Sequence, residues 1–352
     1  MENSMLAAVY KGTPEIELIE TKIPEIRSNE VLLKVNAAGI CGTDLRILKS
    51  GHRRIPDGAR IVLGHEVSGE IAGVGSQVIW PKVGMRISVA PNMGCGYCGR
   101  CVQGFTQLCG NYFSFGVVID GAFAQYMRIP SAAIEQGNLA EIAEHVTYEE
   151  AAMVEPLSCV FRGLMACRPQ PSETVLIIGA GAIGLMFVQL AKMLGARVIV
   201  SSRNDERSQQ SKRFGADLTF NPKEEDFHEA VFSATGGQGA DIAIVAAPSS
   251  QAQTNAIEVL AHHGRVNFFG GLPQGNEITP VNANMVHYKE LFITGTTGSS
   301  IREYRTALSL VDSGQVEVAS LVTHRFPLGQ IAEAFQVARS KEGIKTIVLP
   351  NY

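Results

Sequence analysis

Between Val175 and Ser201 the chain reads VLIIGAGAIGLMFVQLAKMLGARVIVS, and this stretch fixes a local topology more tightly than any other in the sequence. Val175 to Ile178 form an uninterrupted apolar run of β type, the pattern of a strand buried on both faces. A helical segment follows, and a second β-branched run, Arg197 to Ser201, completes a strand–helix–strand unit whose two strands must lie parallel. Glycines stand at the first junction as Gly179-x-Gly181-x-x-Gly184, with Ala182 and Ile183 between them. The first permits the sharp turn, the second leaves backbone amides open to an approaching phosphate, and the third lets the helix lie against its strand. The pattern predicts a dinucleotide-binding unit. Thr174 to Ala191 is apolar enough to imitate a membrane span, but the glycines, Gln189 and Lys192 fit a buried βαβ unit, and no second span follows.

Further strand-like runs, DIAIVAA, RVNFFGG and LFITGT, alternate with helical stretches such as SQQSKRFGA and QTNAIEVLAHH. This alternation predicts a parallel doubly wound sheet, an α/β domain over 158–298. Before it, short runs such as VLLKVNAAGI and RISVAP alternate with glycine-rich turns, which predicts a β-rich body. The tail, with helices in REYRTALSLVDSG and GQIAEAFQVARS, is expected to return to that body, so the first domain takes 1–157 and 299–352. A length of 352 residues suits two domains. With 30 basic and 34 acidic residues the net charge is −4, which offers no polybasic surface to nucleic acid or to an anionic membrane. The opening MENSMLAAVYKG lacks the pattern of a secretory signal, and a reducing cytoplasm is the expected location.

Four of the seven cysteines, Cys95, Cys98, Cys101 and Cys109, lie in GCGYCGRCVQGFTQLC with the spacing C-x2-C-x2-C-x7-C. Four thiolates delivered by a glycine-laced loop match a closed tetrahedral zinc site, which holds structure because no coordination position remains for a substrate. Disulfides are the weaker alternative, given an odd cysteine count and no leader. The zinc lobe is placed at about 91–112. Chemistry is expected elsewhere: Cys41 in GICGTD, His65 and Glu66 in GHEVSG, and Glu155 in MVEPLS each stand at the edge of an apolar segment. A thiolate, an imidazole and one or two carboxylates make an open zinc site, although each residue alone reads as core, surface or helix start.

GHE, the four-cysteine lobe and GxGxxG, in that order, resemble the zinc-containing medium-chain alcohol dehydrogenases over nearly the whole chain, and VEPLSC is similar to their sorbitol (polyol) and threonine dehydrogenase branch. The resemblance implies a GroES-like β-rich catalytic domain beside a Rossmann domain, with the active site in the cleft between them. It implies a catalytic zinc at Cys41, His65, Glu66 and Glu155, a structural zinc at the four cysteines, Thr43 as the hydroxyl that relays the alcohol proton, and Asp44 behind the metal ligands. Ala246, Phe269 and Gly270 are expected near the cofactor, and relatives are commonly dimers or tetramers. Two departures bear on substrate: Arg46 stands where many members carry a relay histidine, and Gly295 to Ser300, GTTGSS, lacks the arginine with which sorbitol dehydrogenases bind the polyol. Arg53 and Arg54 are candidates for gripping a substrate phosphate or carboxylate.

Cofactor choice is read from the end of the second strand, where NAD enzymes carry an acidic residue for the ribose. Here the sequence is Val200-Ser201-Ser202-Arg203. Ser202 and Arg203, with Arg207 as a second cation, favour the 2′-phosphate of NADP, with NAD the alternative, while Asp205 and Glu206 read as the first turn of a helix. The expected function is hydride transfer between NADP and a secondary alcohol of polyol, sugar or sugar-acid type. The alternatives are a threonine-like or polyol-phosphate dehydrogenase and a non-catalytic NADP-binding sensor.

Overall fold

The computed structural model describes residues 4–352. The chain forms two compact units, one running to Ser158 and resuming at Gly298–Tyr352, the other comprising Cys159–Thr297.

In the first unit a seven-stranded sheet is built around Val31–Gly39, whose side chains alternate between buried and half-buried positions as a period of two requires. That strand pairs antiparallel with Glu66–Val74 on one side, and with Lys345–Leu349 near its end on the other. Leu33, Val35, Ile71, Ile87, Phe115, Phe123 and Met127 are fully or almost fully buried in the core this sheet covers. The register sets Gly39 opposite both Glu66 and Ile347. The chain therefore leaves the sheet at Cys41 just where its neighbours supply His65-Glu66 and Lys345.

The second unit is a parallel six-stranded sheet in the spatial order Leu218–Phe220, Arg197–Ser201, Thr174–Ile178, Ala240–Val245, Leu260–Phe268, Phe292–Gly295. All five residues of Thr174–Ile178 are buried. The order reverses at this strand, and such a switch point opens a crevice at the carboxyl ends of the strands. Thr174 to Ala191 is accordingly a strand plus the start of the helix Ala182–Met193, whose residues Gly184 to Ala191 are buried, which explains its hydrophobicity. No described helix is long and apolar enough to cross a membrane.

Two elements differ from expectation. Leu218–Phe220 adds a strand that the sequence did not signal, since three residues are too few to show a period. The helix over QTNAIEVLAHH ends at Glu258, and His262 and His263 belong to the strand Leu260–Phe268, where a left-handed His263 (φ 61°) accompanies a register shift against the neighbouring strand.

Candidate metal and cofactor sites

Cys41 ends the sheet strand's exit and caps the helix Gly42–Ser50. Its sulfur accepts the Thr43 N–H at 3.4 Å, and Asp44 Oδ2 accepts the Cys41 N–H at 2.8 Å. Cys41 Sγ, a ring nitrogen of His65 and a carboxylate oxygen of Glu66 all lie within 4.8 Å of one another. Asp44 is completely buried and stands behind the imidazole, with Oδ1 3.5 Å from His65 Nδ1, and neither atom has a hydrogen-bond partner. Burial pushes the His65 pKa down, but the Asp44 carboxylate and the Cys41 sulfur outweigh it and hold the imidazole well above its ordinary value. These residues form an anionic pocket that favours a cation. Thiolate, imidazole and carboxylate converging at a buried, orphaned constellation are a donor set that fits zinc.

Glu66 is also claimed from the other side. Lys345 forms an ion pair with Glu66 Oε2, and the two side chains are 8% and 1% exposed. They meet over Gly39, where an added Cβ would stand 1.9 Å from Glu66 Oε2 and 3.0 Å from Lys345 Cε, so a side chain there would displace the pair. Burial opposes the charge on Lys345, but Glu66, Cys41 and Glu155 raise its pKa above the ordinary value. Sequence reasoning missed this lysine; its one signal was a lone charge opening the apolar run KTIVL. Lys345→Ala leaves a carboxylate buried without its cation, and is expected to destabilise the protein by about 3 to 5 kcal/mol. An unchanged denaturant midpoint would show that Glu66 is compensated without Lys345.

Glu155, in the first turn of Val154–Ala166, is buried at 6% exposure but does not fall within the cluster of Cys41, His65 and Glu66. The Thr43 hydroxyl accepts from Arg46 Nη2 at 3.3 Å.

In the lobe, the sulfurs of Cys95, Cys98, Cys101 and Cys109 also lie within 4.8 Å of one another. Separations of 3.5 Å (Cys98–Cys101), 3.8 Å (Cys98–Cys109) and 3.9 Å (Cys95–Cys101) bracket the edge of about 3.8 Å that four sulfurs take at roughly 2.3 Å from a tetrahedral centre. All seven cysteines are free thiols. Gly96 (φ 84°) and Gly104 (φ 85°) turn the loop through left-handed conformations, and a Cβ at Gly94 would lie 2.4 Å from Cys101 Sγ. The backbone N–H of Cys101 and the Cys101 thiol lower Cys98 to about 6, whereas burial pushes Cys101 up to about 12. Arg54, a candidate substrate ligand in the sequence, is committed to this lobe. It donates to Tyr112 O at 2.5 Å and to Gly110 O at 3.4 Å, and stacks over the Tyr112 ring at 3.8 Å.

The glycine motif folds as its spacing demands. Gly179 takes φ 104°, Gly181 caps the helix Ala182–Met193 and faces open space where a Cβ would point, and a Cβ at Gly184 would meet Gly179 O at 1.9 Å. Ser202 is 4% exposed and its hydroxyl is spent on its own turn, donating to Asn204 O at 3.0 Å. Arg203 is exposed at the strand end, and Arg207 lies in the first turn of Asp205–Arg213, with Asp205 and Glu206 beside it. Phe269 packs edge-on against Phe187 at 5.1 Å, a core contact, while Gly270 closes on the Ala247 carbonyl group.

The family model described as zinc-binding dehydrogenase matches residues 182–313, and the one described as alcohol dehydrogenase GroES-like domain matches residues 27–137. A sorbitol dehydrogenase from Bacillus subtilis (strain 168) is 35% identical over 99% of this chain and 98% of its own length. The chain belongs to the zinc-containing medium-chain alcohol dehydrogenase family. Within this family of oxidoreductases it sits in the polyol and threonine branch, for an L-threonine 3-dehydrogenase of the same organism is 34% identical over 99% of this chain and all of its own. The dehydrogenase fold extends to a solved zinc-binding dehydrogenase from Sinorhizobium meliloti 1021 bound to NADP, with a TM-score of 0.92 and 30% identity, covering 99% of this chain and 100% of that one.

Proposed function

We propose that this dehydrogenase oxidises a secondary alcohol of polyol, sugar or sugar-acid type, or reduces the corresponding ketone, with NADP as the preferred cofactor. The observation that carries the proposal is the convergence of Cys41, His65 and Glu66 beside the Thr43 hydroxyl's helix turn. Zinc held there supplies a Lewis acid that polarises the substrate oxygen. Asp44 orients His65 and keeps the pocket anionic, and Lys345 holds Glu66. Glu155 is the other buried carboxylate that would be available to complete the set. Thr43 takes the hydroxyl proton and passes on its own. Arg46 donates to the Thr43 hydroxyl and carries only N–H donors, so it offers that hydroxyl no acceptor. NADP, when bound, would supply the acceptor for the hydride of the carbinol carbon.

The four-cysteine lobe holds a second, structural zinc in this proposal, and the assembly is a homodimer or homotetramer in the cytoplasm. Identity to both sorbitol and threonine dehydrogenases keeps a threonine-like or polyol-phosphate substrate as the second reading. A non-catalytic NADP sensor is disfavoured by the intact metal-ligand cluster.

With Ser202 occupied in its turn, discrimination for the 2′-phosphate rests on Arg203, aided by Arg207. Arg203→Ala is expected to weaken NADP binding by about 1.5 to 3 kcal/mol while leaving NAD nearly unchanged. Equal losses for the two cofactors would place the 2′-phosphate elsewhere. The deciding assay of the function is the initial rate of NADP and NAD reduction by zinc-loaded protein across polyols, sugar acids, polyol phosphates and threonine. One substrate with NADP faster than NAD supports the proposal; tight NADPH binding with no turnover across the panel favours the sensor.

A further inference from the structure

Arg46 sits one turn along the helix that Cys41 caps, which brings its Nη2 to 3.3 Å from Thr43 Oγ1, and Thr43 itself donates its backbone N–H to the Cys41 sulfur. A permanent positive charge therefore stands one residue removed from the metal-binding thiol. The guanidinium is exposed, and its single bond to Thr43 leaves its other N–H groups without a protein acceptor among the described residues. Arg53, in the turn after the same helix, is likewise exposed and makes no ion pair among the described residues.

Arg46, on the helix Gly42–Ser50, and Arg53, three residues past its end, flank His52 in sequence. Burial lowers the His52 pKa, and Arg53, Arg46 and Arg54 lower it further, so three guanidinium fields converge on this imidazole. Arg54 is spent on Tyr112 and Gly110. Neither Arg46 nor Arg53 has an ion-pair carboxylate among the described residues, and a neutral polyol supplies none. A substrate carboxylate or phosphate does, through charge-assisted and bidentate hydrogen bonds to a planar fork of donors.

Building on the dehydrogenase reading above, we propose that Arg46 is a specificity residue that grips an anionic group, carboxylate or phosphate ester, carried by the secondary-alcohol substrate, with Arg53 reinforcing the same field. The replacement of a proton-relay histidine by an arginine then exchanges a proton exit for substrate selection.

The test uses zinc-loaded wild type, Arg46→Gln, Arg46→Lys and Arg53→Gln, with NADP reduction measured on sorbitol, gluconate and sorbitol 6-phosphate, which share a six-carbon chain without an anion, with a carboxylate and with a phosphate. Wild type is expected to prefer at least one anionic member, and which one it prefers separates carboxylate from phosphate recognition. Arg46→Gln is expected to lower that preference, as a ratio of kcat/KM values, by about 10- to 100-fold, mainly through KM. Arg46→Lys should restore part of it by charge alone, and Arg53→Gln should lower it less. A fall of equal size on sorbitol and on its anionic partners would overturn the proposal and leave Arg46 as a support for Thr43. Wild type that binds NADPH but turns over none of the three would overturn the polyol and sugar-acid reading itself, and the role of Arg46 with it.

Discussion

Cys41→Ala and His65→Ala are each expected to yield a folded protein that binds NADPH normally and turns over alcohol at least about 10³-fold more slowly, because polarisation of the substrate oxygen is worth several kcal/mol. The structure separates the two effects that such a change combines. Cys41 also caps the helix Gly42–Ser50, but a lost cap costs only about 1 kcal/mol, too little to unfold a domain whose core runs through Val31–Gly39 and Glu66–Val74. Gly179, Gly181 and Gly184, proposed to receive the nucleotide, belong to the other unit, so NADPH binding is expected to survive. kcat/KM, NADPH fluorescence titration and zinc content per chain, measured together, decide the matter. Full turnover in either variant would remove the proposed catalytic metal site; loss of NADPH affinity as well as turnover would mark a folding defect, which Cys41→Ser, retaining a helix cap, would resolve.

Cys98→Ser is expected to act on stability and leave the chemistry to follow. The lobe has little apolar packing of its own: Tyr97 and Val102 are 78% and 75% exposed, and of its four cysteines only Cys109 is buried. What can hold this glycine-rich loop is the convergence of four sulfurs at tetrahedral separations. Loss of a ligand should therefore remove about one equivalent of zinc and lower the melting temperature markedly. Differential scanning calorimetry alongside zinc analysis tests this. An unchanged melting temperature and unchanged zinc content would show that the lobe holds no metal. The Arg54 contacts to Gly110 and Tyr112 would transmit the loss to the helix carrying Cys41 and Thr43, so a secondary fall in kcat is expected too.

What the sequence determined by itself was local. A φ of 104° at Gly179 and the 1.9 Å approach at Gly184 admit only glycine, so the motif that signals the dinucleotide unit is the geometry of its turn written in residues. Cysteine spacing works the same way, since a short loop can close on one metal in few ways. Short β-branched apolar runs announced the strands Thr174–Ile178 and Arg197–Ser201, whereas Leu218–Phe220 was too short to show a pattern. Tertiary structure alone decided which polar groups remain available. Ser202 and Arg54 carry suitable donors in the sequence, but a local turn uses up one hydroxyl and a distant pair of carbonyls uses up one guanidinium. Lys345 acquires its role only because the last strand pairs against Val31–Gly39 and a glycine lets its side chain reach Glu66. Local preferences record what a backbone can do within a few residues; the partner of a buried charge depends on strand register between distant segments, and no short-range pattern encodes that.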